Sequence, residues 1–262
     1  MRLAFIKIFV LTGLLNLPCT TKVSEWVLLN ALPGQYTIVY YHKIPLSDYI
    51  KNINSGISDK LQTANIQLKD VVKGDIDKPF YALYFKNRLF SRYTDPDALD
   101  NLSVSPLREK IHKDIMSGKL CVMLFLKTDN PAKNEKSLQI VKKTIDASPF
   151  GSIITLVELS RNSVDERHFA SLLLNVESDL KNINEPMLFG IFGRFKALEP
   201  LVSRGITEEN INLMINFLTA DCSCLIQDNL PGTDILFTNS WDNPATALVN
   251  KILDENPSLM HN

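Results

Sequence analysis

The chain has little excess of either charge: 28 Lys and Arg stand against 29 Asp and Glu in 262 residues, a formal net charge of -1. Without a global positive field, charge alone recruits neither nucleic acid nor an anionic bilayer. Four cysteines are too few for a disulfide-built scaffold at this length, and ten glycines with thirteen prolines exclude collagen-like and low-complexity sequence. Gly-x-Ser-x-Gly, a phosphate loop and His-Glu-x-x-His are all missing. No hydrolase, nucleotide-enzyme or zinc-protease residue set is present, and no cofactor is expected. His42, His112, His168 and His261 share no spacing and have no acidic partner in a metal pattern, so they read as surface or core-edge residues. What the chain does have is apolar material, 45% of its residues, enough for one large domain or two small ones with a core each.

The N-terminus reads as a secretory signal peptide over residues 1–20. Arg2 and Lys7 precede the uncharged run from Ile8 to Leu17, and Lys22 and Glu25 close it before the roughly 18–20 residues that a membrane span needs. Cleavage is expected near Cys19 to Thr21. A lipid anchor on Cys19 is the weaker alternative, because Asn16 and Pro18 occupy the positions where a lipoprotein signal wants leucine and a small residue. The mature protein is therefore expected to be exported, periplasmic or secreted, with no transmembrane span.

Beyond the signal, β-branched and aromatic residues from Gln35 to Tyr41 predict a strand, followed by a polar helix over about Ser47 to Gln62. Asn65 to Val72 alternates, and Pro79 to Tyr93 holds two strands around a Lys86-Asn87 turn. Ser105 then caps a helix with Pro106 in its first turn. The second half repeats the order. Leu120 to Leu126 is a fully apolar strand, Asn130-Pro131 opens a helix, Ile153 to Leu159 is a second buried strand, and Ser163 with Glu166 forms a capping box ahead of another helix. Met187 to Phe192 is a strand running into a Gly193 turn, and Thr207 caps a helix with Ile211, Met214, Ile215 and Leu218 on its core face.

Both halves thus resemble thioredoxin-like units: an α/β arrangement of mixed sheets flanked by helices, at 28–117 and 118–240, with a C-terminal helix and tail at 241–262. Pro79 and Pro186 occupy the place of the cis-proline that introduces the central antiparallel strand in that fold. The resemblance stops at the active site. Where thioredoxin-like oxidoreductases keep Cys-x-x-Cys, the first unit reads His42-Lys43-Ile44-Pro45 and the second Lys127-Thr128-Asp129-Asn130.

The remaining chemistry lies near the C-terminus. Cys222 and Cys224, one residue apart, are the redox candidates: two such thiols can close a strained, exchangeable ring, serve as a structural disulfide, or offer two thiolates to a soft metal. Cys121, inside an apolar run, reads as a buried small residue. Arg194, Lys196 and Arg204 concentrate positive charge near the helix capped by Thr207 and form a candidate anion site.

The C-terminal region, about Glu185 to Phe237, resembles an uncharacterised family of exported bacterial proteins. The resemblance is carried by Phe192-Gly193-Arg194, by Ala197 to Val202, by Gly205 to Asn210, by Phe217 to Thr219, by Cys222-Ser223-Cys224 and by Pro231 to Leu236. It implies export and the Cys-x-Cys feature, and no reaction. Phe195 and Lys196 stand where that family has Gly-Arg, so a loop that met a ligand with bare backbone would here be obstructed by Phe195. The functional expectation is a non-catalytic module of the cell envelope that binds a protein partner, with thiol–disulfide exchange at Cys222 and Cys224 as the alternative and soft-metal binding as the weaker one.

Overall fold

The computed structural model describes residues 21–238, 246–255 and 257. The expected signal peptide with Cys19, the segment at Trp241 to Pro244, and His261 lie outside the described residues. Among the described residues no helix is long and apolar enough to cross a membrane.

The chain opens on α1 (Val23–Asn30), a helix with no clear amphipathic signal, and then enters the first unit: β1 (Tyr36–His42), α2 (Asp48–Lys60), β2 (Ile66–Val72), β3 (Phe80–Phe85), β4 (Arg88–Tyr93) and α3 (Pro106–Met116). Its sheet runs β2-β1-β3-β4, with β1 and β2 parallel and β3 antiparallel to both of its neighbours. Lys86 and Asn87 both take positive φ, 47° and 64°, as the two-residue turn between β3 and β4 requires. The second unit comprises β5 (Cys121–Lys127), α4 (Pro131–Ala147), β6 (Ile154–Ser160), α5 (Arg167–Leu173), β7 (Met187–Phe192), β8 (Lys196–Ala197), β9 (Leu201–Val202), α6 (Glu208–Thr219), α7 (Cys224–Asp228) and β10 (Thr233–Asp234), followed by α8 (Thr246–Glu255). Its sheet runs β10-β8-β7-β5-β6, with β9 also on β7, and repeats the parallel pair β5–β6 beside an antiparallel β7. In both sheets a parallel pair abuts a central antiparallel strand and its hairpin partner. The molecule is two thioredoxin-like units of mixed sheet and helix.

The units share one core. Tyr36, Ile38 and Leu83 of the first sheet lie in the same cluster as Val122, Leu124 and Phe189 of the second, with α3 and α5 contributing Ile111 and Phe169. The opposite face of the second sheet, through Met123 and Phe125, packs on α1, α4 and α6. β5 and β7 are covered on both faces, which is why they read as unbroken apolar runs. β6 is an edge strand and only half buried, unlike its apolar sequence pattern.

The chain ends cross over. α1 precedes the first unit but packs against the second: Val23 donates to the Ala220 carbonyl, Ser24 to the Leu218 carbonyl, and Cys222 donates back to Thr21. Buried Lys22 pairs with Asp221 at 2.7 Å, and its backbone N–H is held by Glu25, whose carboxyl is pushed upward by burial against the pull of that hydrogen bond. Conversely β10 and the segment after it pack on the first unit. Tyr36 donates to the Asp234 carbonyl, Phe237 donates to Asn65, and Ala64 bridges Thr238.

Arg108 fastens this crossover. It is fully buried, and all five of its N–H groups find acceptors: Ser105 Oγ and the carbonyls of Asn101, Leu102, Val104 and Leu236. Phe169 of α5 lies under the guanidinium at 5.6 Å. The expected capping box at Ser163 and Glu166 is not formed. Glu166 is itself the residue before α5, its side chain caps no N–H of that helix, and Oε1 instead accepts from Leu107 N at the start of α3. Next to it, His168 Nε2 lies 3.3 Å from Arg167 Nε, and burial, reinforced by Arg167 and Arg108, lowers its imidazole to about 4.

Two expectations follow. Arg108→Ala orphans several buried acceptors at about 1–3 kcal/mol each, so a loss of at least about 3 kcal/mol is expected in urea unfolding; Arg108→Lys, with three donors, restores only part of it. His168 resists protonation until about pH 4 in the folded state, whereas the unfolded chain takes the proton near 6.5. The unfolded state therefore binds more protons across that window, and its contribution, fully present above pH 6.5, falls by about 2–3 kcal/mol as pH drops to 4. Unfolding curves at several pH values should slope accordingly, and His168→Gln should flatten the slope.

Candidate functional site

In this fold chemistry sits where the first parallel strand ends and its helix begins. In the second unit β5 ends at Lys127 and the turn into α4 is closed by side-chain amides and a hydroxyl. Asn134 Oδ1 accepts from Thr128 N at 2.9 Å while its Nδ2 donates to the Thr128 carbonyl at 2.8 Å; Thr128 Oγ1 accepts from Asn130 N, and Asn130 caps α4 by accepting from Lys133 N. The local sequence dictates this closure: Thr, Asn and a helical Pro131 form turn and cap with no outside help. No thiol stands at this corner.

A cleft of about 500 Å³ opens beside it, lined by Lys133, Lys136 and Ile140 of α4, Glu185 and Pro186 ahead of β7, and Ser203, Arg204 and Thr207 ahead of α6. Lys133 bridges to Glu185, whose other oxygen accepts from Ser203 Oγ at 3.0 Å. The Lys133 hydrogen bond, then that from Ser203, keeps the Glu185 carboxyl below the usual glutamate range. The wall nearest the sheet is fixed by Arg161, which donates to the Glu185 carbonyl at 3.1 Å, and by Ser203 N, which donates to the Pro186 carbonyl. Three cations face one carboxylate, so the cleft suits an extended, acid-bearing segment. It holds no cysteine or histidine, and Ser203 is committed to Glu185.

The first unit places His42 at the matching corner. The ring is buried, Nδ1 is 2.6 Å from the Ile44 carbonyl and Nε2 is 3.6 Å from Asp70. Its turn is followed by the exposed Ile44 and Tyr49.

The candidate residues from sequence fare differently. The peptide bonds before Pro79 and Pro186 are trans, not cis. The chain around Pro186 is already held by Arg161 on the preceding carbonyl and Ser203 on its own, and trans is the intrinsically lower-energy isomer. Arg194, Lys196 and Arg204 do not form one anion site. Arg194 donates to the carbonyls of Leu28 and Leu29, capping the C-terminus of α1 where a cation is favoured. Lys196 is buried against Asp234 at 2.9 Å. Arg204 alone lines the cleft. Phe195 does not guard a ligand loop either: it takes φ 66°, in the left-handed region that favours glycine, and stacks on Phe237 at 4.0 Å inside the core. Gly193 beside it cannot be replaced without a Cβ meeting Val27 at 2.3 Å.

Cys222 and Cys224 are not joined to each other. Cys222 is buried beside α1, whereas Cys224 is exposed at the start of α7, after the Ser223 cap. Burial pushes the Cys121 thiol up to about 12. Among the described residues no three His, Cys, Asp or Glu side chains are grouped to hold a metal ion. Lys133, Lys136 and Glu185 are the cleft residues that the sequence did not single out; the signal available was their position beside the empty dithiol corner and Pro186.

No family model and no curated protein matches the chain. Among solved structures it is similar to human ERp44 in its form I crystal structure, at 10% identity, 71% of this chain, 49% of that chain and a TM-score of 0.26. It is also similar to the first two thioredoxin domains of Eps1p from Naumovozyma dairenensis, at 14% identity, 79% of this chain, 98% of that chain and a TM-score of 0.27. The similarity spans about half the length of the ERp44 chain.

Thiol reactivity follows from these environments. Iodoacetamide is expected to label Cys224 in the native protein within minutes and to reach Cys121 only on unfolding, read by peptide mass spectrometry. Native labelling of Cys121 at the rate of Cys224 contradicts the buried environment described.

Proposed function

We propose that the protein is an exported, non-catalytic thioredoxin-like module that holds a protein partner in the cleft between α4, Pro186 and Arg204. One observation carries the reading: the corner that serves disulfide exchange in this fold is closed by Thr128, Asn130 and Asn134 and lies beside a cleft lined by Lys133, Lys136, Glu185 and Arg204. Export is supported by the charged start and apolar run before Leu17, and a chain tied down from Thr21 onward tolerates cleavage at Cys19 to Thr21. The likeness of Glu185 to Phe237 to exported bacterial proteins points the same way, with the cell envelope as the compartment.

Thiol–disulfide exchange at Cys222 and Cys224 is the second reading, favoured by the exposure of Cys224. Burial of Cys222 opposes it, because exchange needs an accessible sulfur. Soft-metal binding through the same two sulfurs lacks a third ligand among the described residues.

The test uses the full mature chain in two assays. No acceleration of insulin disulfide reduction is expected, and a reduced, carboxymethylated model client is expected to bind about tenfold more weakly when Lys133 and Arg204 are both changed to Glu. Insulin reduction that disappears in Cys224→Ser installs the enzyme reading, and client binding indifferent to the double change removes the cleft from the proposal.

A further inference from the structure

The outer face of the first sheet belongs to neither core cluster. Thr37, Val39 and Tyr41 of β1 and Phe80 and Tyr84 of β3 point away from the buried set of Tyr36, Ile38, Tyr81 and Leu83, and among the described residues no helix covers them. The chain passes from β2 to β3 through a loop at 73–79, with no crossover helix. A sheet with one face in water normally turns polar residues outward. This one turns out aromatic rings. Tyr41 and Phe80 lie 5.1 Å apart, the hydroxyls of Tyr41 and Tyr84 are 3.1 Å apart, and Tyr41 and Tyr84 with Lys69 and Lys86 line an open concavity of about 470 Å³.

The face is also cationic. Lys73 stands 5.5 Å over Tyr41 and Arg92 5.2 Å over Phe80, beside Lys69 and Lys86, with Asp75 at 4.0 Å from Lys73 as the counter-charge recorded at this face. It adjoins a free edge. β2 ends the sheet, pairs with β1 along its whole length from Ile66 to Val72, and has no partner on its other side among the described residues. Val71 and Val72 are 41% and 66% exposed along it.

We propose that this edge and face take an extended acidic segment of a protein partner, added as a strand beside β2. Backbone pairing supplies the register. Alternate side chains of the added strand fall on one face, next to Lys69 and the aromatic concavity, where carboxylates are favoured. The charge selects an acidic ligand, and the unpaired backbone selects a polypeptide, since neither a glycan nor a nucleic acid can extend a β-ladder. This surface is separate from the cleft at Lys133 and Arg204 and stands whether or not that cleft binds.

The experiment measures fluorescence anisotropy of a fluorescein-labelled peptide of alternating glutamate and valine on the full mature chain, with amide hydrogen exchange as the second readout. Binding is expected, with slowed exchange across 66–72, at least about tenfold weakening in Lys69→Glu, and no change on replacing Lys133 and Arg204. Both Lys69 and Lys86 are exposed, so if Lys69→Glu fails to fold, Lys86→Glu gives the same readout. Absence of binding overturns the proposal. So does binding without slowed exchange at 66–72, or displacement by heparin or a single-stranded oligonucleotide with the same exchange pattern, either of which marks a surface that reads charge alone.

Discussion

A single buried cation holds the two halves in one molecule. Arg108 has no carboxylate in direct contact; its charge is carried by four carbonyls, one hydroxyl and the face of Phe169, with Glu166 acting only through space. Burial accordingly weakens its hold on the proton, lowering it to about 9. Such a group is tolerable only when every donor is met, and meeting them requires the loop at 101–105 of the first unit and the Leu236 carbonyl of the second to converge. Once that convergence is fixed, Tyr36 reaches Asp234, Phe195 stacks on Phe237, and Asn65 receives Phe237 N. The shared core is thus specified by a polar network as much as by apolar area, which by itself would accept many dockings of two sheets.

That rigidity bears on the two corners where the fold ordinarily does chemistry. A redox corner needs a thiolate free to leave its partner and a turn that tolerates both states. At β5 and α4 the turn is spent on Asn134 and Thr128, and the adjoining wall on Arg161 and Ser203. At β1 the same place is filled by a buried imidazole on the Ile44 carbonyl. The first of these corners closes on its own side chains, whereas at the second the buried Nε2 of His42 has no hydrogen-bond partner and lies 3.6 Å from Asp70. What they leave available is surface: a cleft with three cations at one, exposed Ile44 and Tyr49 at the other.

The elements that depend on local signals were legible in the sequence. Caps by Ser105 and Thr207, the helix start at Asn130-Pro131, the Lys86-Asn87 turn and the all-apolar β5 and β7 follow from side-chain chemistry within a few residues. The misses involve partners far along the chain. α1 carries no amphipathic stripe, and its packing is against α6 and β7 of the second unit. Arg194 and Lys196, which read as part of an anion site, Glu166, which read as a capping-box residue, and Arg108, which carried no signal, each answer a backbone group or counter-ion more than 30 residues away. Nothing local distinguishes a cation that will cap a remote helix from one that will line a cleft, which is why the three-residue anion site dissolved and only Arg204 stayed at a surface.

The halves also differ in what covers their sheets. The second sheet has helices on both faces, and the alternation of its central strands is erased because both sets of side chains are core. The first lacks a helix between β2 and β3, so its β1 keeps the strict buried, half-buried alternation from Tyr36 to His42. In a solvated face that alternation should end in polar side chains; Val39, Tyr41, Phe80 and Tyr84 instead retain apolar bulk where no segment of the described chain returns to cover it. Retaining such a face costs solubility and risks edge pairing, costs that Lys69, Lys73 and Arg92 offset by placing charge over and beside the rings. Cations held at an aromatic surface keep it soluble when empty and remain available to an anionic ligand, so the same residues that guard the edge also define what can displace the water from it.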